Sequence, residues 1–118
     1  MMLKTLASLD ERKLNFLFRL AARFMETQRE HDRLGQARFW LVIGQALESE
    51  LDGEPPEALN FEDLLDHDVR VAAQVCAGLR DSHFPRSEKL FGELSAVLET
   101  ELRRRHREVI ALENILAL

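Results

Sequence analysis

Residues 8–32 read SLDERKLNFLFRLAARFMETQREHD, and the period of this stretch decides the fold class. Leu14, Leu17, Phe18, Ala21, Phe24, Met25 and Gln28 recur at steps of three and four, while Arg12, Arg19 and Arg23 fall on the other side. That is the 3.6-residue period of an amphipathic helix, not the period of two that a half-buried strand needs. Ser8 and Glu11 have capping-box spacing, so the sequence predicts a helix capped by Ser8 and running to about Asp32.

The same logic carries along the chain. Leu34-Gly35 is read as a break or bend, followed by a second helix to about Leu51 with Ala37, Trp40, Leu41, Gly44, Leu47 and Leu51 on one face. Asp52-Gly53-Glu54-Pro55-Pro56 ends it, because proline disfavours helix in the residue before it. Asn60 followed by Asp63 reads as a second cap, opening a third helix from Phe61 to about Arg80. Its stripe is Leu65, Val69, Ala72, Val75, Cys76 and Leu79. Pro85 suits the first turn of a fourth helix, expected to reach about Leu116. Leu90, Phe91, Leu94, Val97, Leu98 and Leu102 are in register there, the pattern lapses over residues 103–108, and it resumes at Val109. Four helices with short loops predict an all-α, four-helix antiparallel bundle with a long last helix, extended by dimerisation in one reading. We read residues 1–118 as one helical domain, a size that buries roughly two-thirds of its unfolded surface.

Composition narrows the functional classes. With one cysteine, Cys76, neither an internal disulfide nor a CxxC metal site can form, and a reducing, cytoplasmic setting is the simplest reading. Residues 1–9 lack the apolar run and cleavage site of a secretion signal, and no stretch reaches the roughly 18 apolar residues of a membrane span. No Ser/His/Asp arrangement, phosphate-cradling glycine loop or paired-carboxylate motif stands out, so the expectation is a non-enzymatic protein without a cofactor. Trp40 and the phenylalanines at 16, 18, 24 and 39 are read as core.

Three features compete for function. From Phe39 to Val69 there is no Lys or Arg but nine acids, including Glu48, Glu50, Asp52, Glu54, Glu57, Asp63, Asp66 and Asp68. A solvated surface with acids at helix amino termini is the plain reading; a docking surface for a basic partner protein is the sharper one. Arg103, Arg104, Arg105 and Arg107 could contact phosphates, which makes a nucleic-acid-associated regulator the alternative function. Against it stand the net charge of −5 and the Glu99–Arg103 and Glu101–Arg105 spacings that favour intrahelical pairs. Finally, Val109, Ile110, Leu112, Ile115 and Leu116 need a cover: Met2, Leu3 and Leu6 of the same chain, or the seam of a homodimer. A metal sensor built on Asp63 and His67 is the remaining alternative, and it has no third ligand that can be named. Cys76 is read as a small buried hydrophobe rather than a nucleophile.

Overall fold

The computed structural model describes residues 3–54, 59–83 and 86–117. Among them, four α-helices follow a short 3-10 turn at Thr5–Ser8: α1 (Glu11–Glu30), α2 (Leu34–Leu51), α3 (Asp66–Asp81) and α4 (Glu88–Leu116). The chain is an all-helical bundle. α1 and α2 form one hairpin and α3 and α4 another, and all four helices contribute to one apolar core.

The two hairpins are not joined by a short loop. Gln36 Nε2 donates to the Asp68 carbonyl at 2.9 Å, and the Phe39 and Phe61 rings lie 5.8 Å apart. The amino-terminal turns of α2 and α3 are therefore neighbours. Since α2 spans about 27 Å at 1.5 Å per residue, the end of α2 and the start of α3 lie about that far apart.

Each helix end has a local cause. Asp10, not Ser8, caps α1: its carboxylate accepts the Lys13 N–H at 2.8 Å, while the Ser8 hydroxyl donates to the Thr5 carbonyl at 2.7 Å. The Thr5–Ser8 turn occupies Ser8 and hands the cap to the next acceptor in the chain. α1 stops before Leu34-Gly35. Asp32 adopts φ 56°, with Arg33 N–H bonded to the Gln28 carbonyl at 2.8 Å and Asp32 N–H to that of Arg29 at 3.1 Å. This is a Schellman closure with aspartate in the left-handed position. α2 ends the same way with Gly53 at φ 70°, the residue that tolerates this conformation without penalty. Pro55, Pro56 and Pro85 lie outside the described residues.

Gly35 has a tertiary role instead. A Cβ built there would overlap the Asp68 carboxyl group, so the bare glycine leaves room for this side chain from α3's first turn. Gly35→Ala is expected to destabilise the protein by up to about 1 kcal/mol, displacement of the Asp68 carboxylate outweighing alanine's helix advantage. Urea unfolding checks this, and most of the loss should vanish when Asp68→Ala is made alongside; an unchanged loss in the double variant contradicts the close approach.

Asn60 does not open α3. Its side chain accepts the Glu62 N–H at 2.9 Å, and Leu64 N–H closes a single turn on the Phe61 carbonyl at 3.0 Å. Leu65 then turns extended (ψ 156°), and the helix begins at Asp66. The apolar faces shift accordingly. Phe39 and Ile43 are buried in α2 where Leu41 is 45% exposed; in α3, Ala73 is buried while Leu65 and Val75 are exposed. Phe16, read as core, is half exposed on α1.

Leu3 and Leu6 do not cover the end of α4. Both are buried in the core, and Thr5 N–H donates to Glu93 Oε1 at 3.2 Å. That contact is near the start of α4, about 24 Å along the helix from Val109. Met2 lies outside the described residues.

Candidate protein-docking surface

α4 has 29 residues, about 43 Å of helix. Its buried residues run from Leu90 to Leu98, and Leu102 is half-buried against the core. From His106 to Ala117 every residue is exposed. The extents of 56 × 32 × 27 Å fit a helix that outruns its bundle. Val109, Ile110, Leu112, Ile115 and Leu116, the residues read as a dimer seam, lie on this extension with 42–77% of their surface accessible. Leu98, Leu102, Arg105, Val109, Leu112 and Leu116 follow one another at alternating steps of four and three. The seam that packs into the core thus continues past the end of the bundle with one polar interruption, Arg105.

Arg105 is not a free cation. Its guanidinium donates to the Leu64 carbonyl (2.7 Å), the Phe61 carbonyl (2.8 Å), Asp66 Oδ1 (2.8 Å) and Glu101 Oε1 (2.9 Å), and its side chain is only 14% exposed. The rigid donor fork of arginine suits such divergent acceptors. A helix continuous from Phe61 would have turned these carbonyls along its own axis. Arg105 takes them instead, which fixes the Phe61–Leu64 turn against α4. Glu62, Asp63, Leu65 and Asp66 are exposed, an acidic shelf leading into α3 in which Asp66 is bound to Arg105 of α4 and Asp63 faces Arg38 of α2.

The other arginines divide. Arg104 is bound to Glu101 and Glu108 on its own helix. The Arg104 hydrogen bond, with help from Arg105, holds the Glu101 carboxyl below its ordinary value of 4.5, burial opposing it. Arg103 donates to Thr100 Oγ1 at 3.4 Å rather than pairing with Glu99. Arg104 and Arg105 are thus engaged within the chain, and Arg103 and Arg107 stand exposed on the outer face.

The acidic window divides too. Asp63 lies 3.7 Å from Arg38 Nη2, Asp66 is held by Arg105, and Asp68 packs on Gly35; these three gather where α2 and α3 begin. Glu48, Glu50, Asp52 and Glu54 lie at the opposite end of α2, about 20 Å away along the helix. Among the described acids of this window, only Asp66 and Asp68 occupy a helix amino terminus. Glu48, Glu50 and Asp52 sit at a helix carboxyl end with no basic residue in its last turn, where the dipole disfavours them. Glu57 lies outside the described residues.

Comparison with protein-family models, with curated proteins and with solved structures found no match to this chain.

An open cleft of about 650 Å³ lies beside the α1–α2 turn, with Phe24, Trp40, Val71 and Val75 on its apolar wall and Asp32, Arg33, His67 and Asp68 on its rim. All four histidines are exposed. Asp63 precedes α3, so the one-turn helical spacing assumed for Asp63 and His67 does not form. Among the described residues, no group of three or more His, Cys, Asp or Glu is placed to hold a metal ion. No helix among them is long and apolar enough to cross a membrane.

Cys76 is wholly buried on α3, and burial pushes its thiol up to about 12. The thiolate, the reactive form, is therefore scarce at neutral pH. Iodoacetamide should leave the native protein unmodified over a time in which the urea-unfolded protein is fully alkylated, as read by mass spectrometry. Equal rates in both states would contradict this burial.

Proposed function

We propose that this chain is a non-enzymatic module that binds another protein chain, docking it on the outer part of α4 and steering it with acidic side chains. The observation that carries the proposal is the exposure of Val109, Ile110, Leu112, Ile115 and Leu116 on a helix that runs beyond its own bundle. Large apolar residues grouped on one projecting element are the usual mark of an interaction surface. The acids retained at the unfavourable end of α2, together with the shelf at Asp63 and Asp66, support a basic partner, since clustered charge accelerates encounter. A reducing, cytoplasmic setting belongs to the same proposal and rests on the single thiol.

The test is co-purification from the source cells with the wild-type chain and with Val109→Gln/Leu112→Gln/Leu116→Gln. These positions are exposed, so the variant should keep its fold, as circular dichroism will show. A protein retained by the wild type and lost by the variant is the expected result; an identical set of retained proteins rejects the docking role of α4. Self-association through the same seam is the competing use, and light scattering at high concentration measures it directly. The phosphate-binding reading of Arg103–Arg107 is weakened because Arg104 and Arg105 already hold carboxylates.

A further inference from the structure

We propose that the occupant of the α4 extension is a basic amphipathic helix of a partner protein, lying along Val109–Leu116 with its amino-terminal end on the acidic shelf. This rests on the docking function proposed above and adds the chemistry of the partner. In the heptad that places Leu102, Val109 and Leu116 at a and Arg105 and Leu112 at d, the flanking positions of the free seam include Glu108 at g and Glu113 at e. Arg103 and Arg107 fall at b and f, away from the seam, while Arg104 at c reaches Glu108 on its edge. The other two flanking positions are His106 and Ile115, so each edge of the apolar strip carries one carboxylate, that of Glu108 shared with Arg104 on its own helix. Beside Arg105 stands the shelf, where Asp66 is exposed while bound to Arg105, Asp63 is exposed while facing Arg38, and Leu65, 73% exposed, lies between Leu64 and Asp66. A helix in this corner meets leucine-type contacts along one face, acids on its edges and more acids at its end. Lysine or arginine beside its apolar stripe satisfies the edges, and the positive end of its dipole satisfies the shelf.

A second copy of this chain fits less well. Parallel pairing sets Glu108 of one copy against Glu113 of the other, the g-to-e contact that decides coiled-coil partners. Antiparallel pairing lays the carboxyl-terminal end of α4, the negative end of its dipole, on Asp63 and Asp66.

The experiment titrates the isotope-labelled full chain with two synthetic amphipathic helices, both with leucine at a and d, one with lysine and one with glutamate at e and g. Amide shifts locate binding and fluorescence anisotropy measures it at physiological salt. The lysine peptide is expected to bind at least about tenfold more tightly, to move Leu65, Val109 and Leu112, and to be lost in Val109→Gln/Leu112→Gln. Glu108→Lys/Glu113→Lys should reverse the preference. Equal affinities, shifts confined to the distant Glu48–Glu54 end, or a stable dimer whose seam excludes both peptides would each overturn the proposal. Those results leave the broader docking function to its own test, since a partner captured through α4 can still be of another chemistry.

Discussion

Replacing Arg105 with alanine is expected to lower the unfolding free energy by about 2–4 kcal/mol, the range for removing one partner of a mostly buried, charged hydrogen-bond set. The substitution leaves the Phe61 and Leu64 carbonyls and Glu101 without their shared donor. It also frees the turn that carries Phe61 and Leu64, both buried, into the core. Arg105→Lys should fall between, because a single ammonium cannot reach acceptors that diverge around a guanidinium. Urea unfolding followed by circular dichroism gives the numbers. Losses under about 0.5 kcal/mol, typical of a surface substitution, would show that the node is not formed. The same node predicts an acid limb. Glu101 has its carboxyl held below the ordinary value in the folded state. It therefore contributes stability that is complete above the unfolded value of 4.5 and is lost as the pH falls through the lower, folded value. The wild type should lose part of its urea midpoint between pH 5 and pH 3, and Glu101→Gln should flatten that limb.

Phe39→Ala is expected to cost about 3–5 kcal/mol, the range for removing a buried aromatic ring. Phe39 is fully buried, with ring centroids 5.0 Å from Trp40 and 5.8 Å from Phe61. It joins α2 to the turn before α3, so its loss opens a cavity at the junction of the two hairpins. Against a typical total stability of about 5–15 kcal/mol, much of the margin goes with one side chain. Phe16→Ala is the matched control: the same ring, half exposed on α1, should change stability by less than about 1 kcal/mol. Thermal denaturation of the two variants side by side decides the matter, and similar losses would contradict the burial assigned to Phe39.

The candidate surface was legible only in part. The five apolar residues from Val109 to Leu116 are visible in the sequence as a resumed pattern, and their exposure follows from where the bundle ends. The lapse at residues 103–108 falls where α4 leaves the bundle, exposed from His106 onward. Within it Arg105 makes the last tie, holding α4 to the Phe61–Leu64 turn, with Glu101 and Asp66 sharing the cation. A single arginine on the apolar seam was the available signal, and it was masked by the arginines on either side. The acids from Glu48 to Asp68 look like one patch in sequence, yet with the start of α3 beside the start of α2 the described ones stand at opposite ends of α2.

What this sequence determined by itself is its helices. Period, propensity and Gly53 act over a few residues, so α1, α2 and α4 fall close to where the pattern puts them. What only the tertiary structure decided is how local signals with two outcomes were resolved. Asn60 can cap a helix or close a single turn; the carbonyls of Phe61 and Leu64, captured from 40 residues or so away by Arg105, select the turn. Gly35 can break a helix or admit a neighbour; Asp68, packed on it from α3, selects the second. In each case the deciding partner is remote in sequence and near in space, and local energies of about 1 kcal/mol are too small to prevail against it.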